Sequence, residues 1–189
     1  MDIKSKLVKL GKDPKKQKGF INPAIYKGST IIFDNFKHYL SDLKKNDDRK
    51  TLYGINTNPS HTELENCITK LYNSDDTVIA PSGLSALVIP FFSYLKKGDE
   101  VLVNDSIYGP TRTFCNNLLK HYGIKIKYFH PINNIKNFEK LIKKKTKLIF
   151  LESPGTATFE IIDIPFITKI AKKKNITTVL DNTWASPLF

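Results

Sequence analysis

The sequence of 189 residues is poor in cysteine. Its two cysteines, Cys67 and Cys115, lie far apart and belong to no paired or metal-binding spacing. The composition therefore predicts neither a disulfide framework nor a metal site, and it favours a reducing compartment. We expect a cytoplasmic protein.

Long apolar runs are also missing. No stretch approaches the ~20 apolar residues that a membrane-spanning helix needs, and the amino terminus lacks the apolar core of a secretory signal. With 40% hydrophobic and 25% charged residues, the composition is that of an ordinary globular protein. We therefore predict no membrane partner.

Arginine is scarce although the net charge is +12, because only Arg49 and Arg112 among the 30 basic residues are arginines. Arginine is the side chain that forks onto guanine edges and stacks on bases. A lysine-rich, arginine-poor surface is more typical of compositional bias than of base recognition. We therefore predict no nucleic-acid partner.

The chain changes character near residue 50. Residues 1–50 are rich in lysine and poor in sustained apolar periodicity, which predicts an amino-terminal arm with a short helix. Beyond them, apolar periodicity predicts helices over 62–71, 83–95, 111–122, 135–144 and 164–174. Predicted strands cover 77–80, 100–104, 124–129, 147–151 and 177–180. This alternation predicts an α/β fold with a mainly parallel sheet and helices on both faces.

Polar or glycine-containing segments follow four of the predicted strands. They are residues 81–83, 105–109, 152–155 and 181–183. Ligands of such sheets bind outside the carboxyl ends of the strands. Four polar loops on one edge therefore predict a ligand site there.

Three of these loops carry candidate binding groups. Gly83 and Leu84 open a helix, where free backbone N–H groups suit a phosphate, although a plain capped helix start is the commoner interpretation. Tyr108 could stack on a flat ring or simply line a wall. Asp181 ends an apolar strand and could hold a protonated pyridine nitrogen, or cap the next turn.

Taken together, the motifs resemble those of the Cys/Met-metabolism family of pyridoxal-phosphate (PLP) enzymes, over residues 51–189. The motifs are YGINTNPS at 53–60, TEL at 62–64, PSGLSA at 81–86, GDEV at 98–101, IYGPT at 107–111, ESP at 152–154 and DNT at 181–183. The family includes cystathionine β-lyase, cystathionine γ-lyase, cystathionine γ-synthase and methionine γ-lyase. The resemblance implies the aspartate aminotransferase-type large domain and PLP as cofactor.

The resemblance also implies roles for particular residues. Gly83 and Leu84 would donate backbone N–H groups to the phosphate, and Tyr108 would stack on the pyridine ring and assist proton movement. Asp181 would pair with the ring nitrogen. Tyr53 would reach the phosphate of a neighbouring subunit, which implies a shared active site in a homo-oligomer, a tetramer in this family.

Within the family, residues 152–160 and 181–185 look most like bacterial cystathionine β-lyase. Relatives of the γ-lyase and γ-synthase type usually carry Asn-Pro where this chain has Thr156 and Ala157. The implied activity converts the sulfur amino acid cystathionine to homocysteine, pyruvate and ammonia, a step of methionine biosynthesis. Two alternatives stay open: γ-elimination or γ-replacement by the same kind of site, and a short relative without catalysis.

The sequence departs from the family pattern at two places. The family usually has a phosphate-gripping arginine where this chain has Ile55. The segment that ends in the Schiff-base lysine normally follows the DNT motif, and no lysine of this chain has that context. We therefore expect residues 51–189 to be the first part of the PLP-binding large domain. The lysine, the remainder of that domain and a carboxyl-terminal domain are expected beyond residue 189, and residues 1–189 alone are expected to be inactive.

Overall fold

A computed structural model of the chain describes residues 2–44 and 51–188. The chain divides into two compact units, Met1–Ile79 and Ala80–Phe189. Among the described residues, no helix combines the length and the apolarity needed to cross a membrane.

In the first unit, the described residues form helices α1 (Ile3–Lys9), α2 (Phe36–Lys44) and α3 (Pro59–Tyr72). Over residues 2–44, the part of the arm that the structure describes, there are two helices where the sequence predicted one. Asp2 stabilises the short α1 because its side chain accepts hydrogen bonds from the first-turn amides. Asn58 caps α3 in the same way.

The second unit is an α/β layer structure. Its strands are β1 (Glu100–Asn104), β2 (Lys125–Phe129), β3 (Thr146–Glu152) and β4 (Thr177–Asp181). Its helices are α4 (Gly83–Tyr94), α5 (Gly109–Phe114), α6 (Phe138–Leu141) and α7 (Ile164–Lys173). The strands form one sheet in the order β2-β1-β3-β4, and every neighbouring pair is parallel. The predicted parallel α/β fold is confirmed.

Both faces of this sheet are covered by helices, as the sequence predicted. On one face, Phe150 of β3 packs against Phe91 of α4, with ring centroids 4.7 Å apart. On the other, Ile149 of β3 packs in a cluster with Phe138 of α6 and Ile167 of α7. Successive residues of β3 point to opposite faces, so a strand buried on both sides reads as a continuous apolar run.

The strand predicted over residues 77–80 is wrong. These residues pair with no strand in the described part of the chain. Val78 is 82% exposed. β-Branched residues favour strands because they pack on a half-buried pleated surface, and this segment has no such surface.

Two predicted helices are irregular or shorter in the structure. The helix expected over 111–122 begins at Gly109 and passes through a π-helical turn, Cys115–Leu119. The helix expected over 135–144 is a 3₁₀ turn followed by α6, which ends at Leu141. The Thr146 hydroxyl accepts the Lys143 N–H at 2.9 Å, so that amide is withdrawn from a continuing helix.

Candidate active site

The carboxyl ends of the strands bring together residues that are far apart in sequence. Glu152 and Asp181 are register partners at the ends of β3 and β4. Asn104 ends β1, and its side chain contacts the main chain of Glu152: its Oδ1 accepts the Glu152 N–H at 2.8 Å. This edge of the second unit is the candidate site.

The first turn of α4 also lies at this edge. Five residues connect the end of α4 to the beginning of β1, and α4 packs against β3 and β4. A helix of 12 residues spans about 18 Å, about the length of these strands. Since its last turn is near the amino ends of the strands, its first turn reaches their carboxyl ends.

Gly83 and Leu84 leave their N–H groups available there. The Ser82 hydroxyl accepts the Ser85 N–H at 3.1 Å, and the Ser82 carbonyl accepts the Ala86 N–H at 3.0 Å. Within the described residues, no acceptor engages the first two amides of α4. A Cβ at Gly83 would meet nothing within 4 Å. The space suits an anion, and phosphate binding by these two residues stays a prediction.

The structure shows Asp181 in the capping role that the sequence left open, and its pairing with a pyridine nitrogen stays a prediction. Its side chain is nearly buried, with a relative exposure of 6%. Oδ1 accepts from the Thr183 N–H at 3.1 Å and from the Thr183 hydroxyl at 2.6 Å. Both bonds fall on the same oxygen, and no donor among the described residues reaches Oδ2. Asp181 therefore caps the following turn through Oδ1, and Oδ2 has no hydrogen-bond donor among the described residues.

Tyr108 lies between β1 and α5. Its backbone N–H donates to Glu152 Oε2 at 2.6 Å, while its ring is 44% exposed. The main chain is thus fixed and the ring stays accessible. An accessible ring at this edge could stack on a flat ligand.

Glu152 is a residue of the site that sequence reasoning did not single out. It is only 3% exposed, and it also accepts a hydrogen bond from the Thr156 hydroxyl. Burial raises the pKa of Glu152 and the neighbouring Asp181 charge adds to this, while hydrogen bonds from Thr156 and Tyr108 oppose it. The signal was the position of the ESP motif at a strand end, as for Asp181.

The loop after β3 is closely packed against the loop after β1. A Cβ at Gly155 would collide with the Ser106 side chain. The Thr156 N–H donates to the Ser106 carbonyl at 2.8 Å, and the Gly155 N–H donates to the Glu160 carbonyl at 3.0 Å. Burial raises the pKa of Glu160, but hydrogen bonds from Ser106 and Thr158 outweigh it, so the net shift is downward.

Arg112 holds the other end of the loop after β1. Its guanidinium pairs with Asp105 Oδ1 at 2.6 Å and also donates to the Asp105 carbonyl. It lies over the Tyr128 ring, 4.3 Å from the centroid. Burial raises the pKa of Tyr128 to about 12, helped by Cys115 and Asp105 and opposed by Arg112.

Tyr53 belongs to the first unit and lies in a turn before α3. Its ring is 45% exposed, and its carbonyl accepts the Asn56 N–H at 3.0 Å. Ile55, at the position where the family usually has arginine, is 67% exposed. The Gly54 N–H donates to the Ser29 carbonyl at 2.8 Å, which ties the turn to the arm.

The carboxyl edge therefore offers three kinds of group to one ligand. The first turn of α4 offers N–H donors for an anion, Asp181 offers a carboxylate oxygen for a cationic ring nitrogen, and Tyr108 offers an aromatic face. These are the groups that a phosphorylated, protonated pyridine requires. The residues present thus fit PLP.

Comparison with known proteins finds relatives along nearly the whole chain. A Saccharomyces cerevisiae relative, provisionally named cystathionine beta-lyase, is 44% identical over 99% of this chain and 53% of its own length. An L-alanine/L-glutamate racemase of Wolbachia pipientis is 36% identical over 100% of this chain and 48% of its own. Cystathionine beta-lyase of Haemophilus influenzae is 30% identical over 98% and 47%. The chain spans about half the length of the curated relatives it matches.

Solved structures share the fold. Cystathionine gamma-lyase from Lactobacillus plantarum superposes with a TM-score of 0.82 at 26% identity, covering 99% of this chain and 46% of that one. The model of the family described as Cys/Met metabolism PLP-dependent enzyme matches residues 4–189. The chain belongs to the Cys/Met-metabolism family of PLP-dependent enzymes.

Proposed function

We propose that this chain supplies the first part of the PLP-binding domain of a carbon–sulfur lyase that cleaves cystathionine to homocysteine, pyruvate and ammonia. The observation that carries the proposal is Asp181. Its carboxylate is nearly buried at the carboxyl edge of a parallel sheet, and Oδ2 receives no hydrogen bond from the described residues. A buried carboxylate with an oxygen available calls for a cationic partner, which the protonated nitrogen of PLP provides.

The residues of this chain would hold and orient the cofactor. The N–H groups of Gly83 and Leu84 would bind the phosphate, the Tyr108 ring would stack on the pyridine, and Asp181 would keep the ring nitrogen protonated. Bound PLP would supply an electron sink for the charge that develops at the substrate Cα. A carboxylate close to the ring nitrogen favours that role because it stabilises the protonated form.

The loop after β3 supports β-elimination over the γ-type reactions. Thr156 lies where γ-lyase and γ-synthase relatives usually carry the first residue of Asn-Pro. Its hydroxyl donates to the Glu152 carboxylate and its N–H to the Ser106 carbonyl. Thr156 is therefore turned into the loop structure. Relatives named cystathionine beta-lyase, including one at 30% identity over 98% of this chain, agree with this choice.

The test is a substrate panel on the full-length protein with PLP added. We expect pyruvate and homocysteine from cystathionine. Release of α-ketobutyrate from cystathionine or methionine would instead assign γ-elimination. Absence of any keto acid, in a protein that binds PLP, would contradict the lyase proposal.

Racemisation of amino acids is a second candidate function. It is favoured by the 36% identity to the Wolbachia pipientis protein named L-alanine/L-glutamate racemase, which covers the whole chain. Racemisation needs the same electron sink at Cα but leaves the side chain in place. Chiral chromatography of L-alanine and L-glutamate after incubation with the full-length protein separates the two candidates.

We propose that the Schiff-base lysine lies outside residues 1–189. Residues 1–189 by themselves should then release no pyruvate from cystathionine even with PLP, because no lysine in them has the required context. Turnover by this segment at a normal enzyme rate would contradict the proposal.

We also propose a cytoplasmic homo-oligomer, a tetramer, in which Tyr53 reaches the phosphate of a neighbouring subunit. The half-exposed ring of Tyr53 supports this proposal. Light scattering of the full-length protein tests the oligomer. Mixing Tyr53→Ala and Asp181→Asn subunits tests the shared site, because a mixed oligomer would regain some intact sites.

A further inference from the structure

Glu152 lies where three parts of the carboxyl edge meet. Its Oε2 accepts the Tyr108 backbone N–H at 2.6 Å, and its Oε1 accepts the Thr156 hydroxyl. In the backbone pairing of β3 with β4, Glu152 is the register partner of Asp181. The Glu152 side chain thus joins the Tyr108 loop to the loop after β3, and its backbone lies beside that of Asp181.

The carboxylate of Glu152 is placed where an acceptor is needed. Tyr108 is the residue that precedes α5, and its backbone N–H donates to Glu152 Oε2. A buried N–H without an acceptor would cost free energy. Glu152 supplies the acceptor from a different strand, so the backbone of Tyr108 is fixed relative to β3 and not only to its own loop.

We propose that Glu152 is the positioning residue for Tyr108: its hydrogen bond to the Tyr108 amide sets the place of the ring over the cofactor, and Thr156 orients the Glu152 side chain. The inference rests on the proposed PLP site. It assigns roles to two residues that lie behind the cofactor-binding groups.

Glu152 acts through its ability to accept a hydrogen bond, and its negative charge is not required. Asp181 already provides the carboxylate for the ring nitrogen, and a second negative charge beside it is unfavourable. Glutamine has the same shape, and its amide oxygen can accept the Tyr108 N–H while its NH₂ group faces the Thr156 hydroxyl, which can also accept. Glu152→Gln should therefore preserve the position of Tyr108, whereas Glu152→Ala should not.

The experiment is a double-mutant cycle on the full-length protein with PLP affinity as the readout, measured by titrating apoprotein and following cofactor absorbance. We expect Glu152→Ala to weaken PLP binding about tenfold, the scale of a lost aromatic stack. In a Tyr108→Ala background the same change should cost less than about twofold, because coupled residues are not additive. Glu152→Gln should stay within about threefold of wild type.

A merely structural role for Glu152 would give equal losses in both backgrounds, and that result would overturn the proposal. The proposal is also overturned if Glu152→Ala binds PLP as tightly as the wild type. It is overturned as well if Glu152→Gln binds PLP as weakly as Glu152→Ala does. The matched control is Glu139→Ala, which removes an exposed glutamate paired with Lys174 at 3.0 Å. It should leave PLP affinity unchanged.

If Glu152→Ala does not fold, Thr156→Val takes its place. This variant removes only the hydroxyl that donates to Glu152 Oε1. We expect Thr156→Val to weaken PLP binding about threefold in the wild-type background. In the Tyr108→Ala background the same substitution should leave PLP binding unchanged, and this pair of results supports the proposal. Wild-type affinity in Thr156→Val, with Glu152→Gln also at wild-type affinity, overturns it.

Failure of the proposed reaction gives a different result from failure of this inference. A protein that binds PLP but releases no keto acid from cystathionine loses the lyase assignment. The cycle on PLP affinity still decides the role of Glu152. A wild-type protein that does not bind PLP overturns both.

Discussion

The two units of this chain contain similar kinds of side chain but bury them to different extents. All the buried apolar residues in the described chain belong to the second unit, from Phe91 to Ile176. The first unit leaves large apolar side chains exposed, among them Phe20 at 73% and Ile32 at 92%. Apolar content alone therefore does not decide burial.

The two units differ in burial because their apolar residues differ in periodicity and in the surfaces available to pack against. In the second unit, apolar strands alternate with amphipathic helices, so each apolar face meets another one. In the first unit, α1 and α3 contain no buried residue, and Asp2 and Asn58 cap their amino ends. Candidate groups on the packed unit, such as Asp181, have fixed surroundings, whereas Tyr53 lies on a turn.

The largest expected effect comes from truncating a buried ring. Phe150→Ala removes a fully buried side chain that stacks on Phe91. We expect it to lower the free energy of unfolding by about 3–5 kcal/mol. The matched control in the first unit, Phe20→Ala, should change it by less than about 0.5 kcal/mol. Urea denaturation of the full-length protein followed by circular dichroism measures both, and equal losses would contradict the contrast.

The next effect concerns the candidate site. Asp181→Asn removes the charge expected to pair with the ring nitrogen and should weaken PLP binding roughly 10- to 100-fold, as for other charge-assisted hydrogen bonds. Asp75→Asn, at an exposed position of the first unit, is the control and should leave binding unchanged. PLP titration of the full-length protein checks both. Equal affinity of Asp181→Asn and wild type would remove Asp181 from the site.

A smaller effect is expected in the turn of the first unit. A Cβ at position 54 would collide with the Gly28 carbonyl, whereas a Cβ at position 28 would meet nothing within 4 Å. Gly54→Ala should cost roughly 1–3 kcal/mol through overpacking, and Gly28→Ala should be tolerated. Hydrogen exchange of residues 51–60 reports the loss. Similar exchange in both variants would show that the turn adapts.

The smallest effect is a pH dependence inside the second unit. Burial raises the pKa of Glu152 above its ordinary value of 4.5, so its protonated form favours the folded state. Relative to Glu152→Gln, the wild type should lose stability as the pH rises from 4.5 through the raised value. The hydrogen bond from Lys174 lowers the pKa of Glu139, so its contribution is instead lost as the pH falls.

Melting temperatures between about pH 4 and pH 8 separate the two signs. The melting temperature of wild type minus that of Glu152→Gln should decrease as the pH rises. The melting temperature of wild type minus that of Glu139→Gln should increase over the same range. The same trend for both glutamates would contradict the assignment of burial as the dominant cause at Glu152.

The sequence predicts the second unit well because its signals are local and mutually consistent. β1 occupies the range that periodicity predicted, and β4 ends one residue later, at Asp181. The strand at 77–80 was mispredicted because a strand needs a neighbour, which local propensity does not supply. The π-helical turn at Cys115–Leu119 has no sequence signal of its own.

The candidate site was predictable only in part. Asp181 and Tyr108 stand out because they follow apolar strands, which fixes them at the carboxyl edge. The contact between Glu152 and the Tyr108 amide joins residues 44 positions apart. The parallel pairing of β1 with β3 brings these two residues together. The pairing of Arg112 with Asp105 depends likewise on the turn into α5.

The Asn104 side chain extends the pairing between β1 and β3 by one residue. The ladder between β1 and β3 pairs residues as far as Val103 and Phe150. The Asn104 side chain then accepts the Glu152 N–H at 2.8 Å and donates to the Glu152 carbonyl at 3.4 Å. A side-chain amide thus substitutes for one further peptide unit of the strand. The Glu152 amide proton should consequently exchange with solvent as slowly as one in the middle of the sheet, although it lies at a strand end.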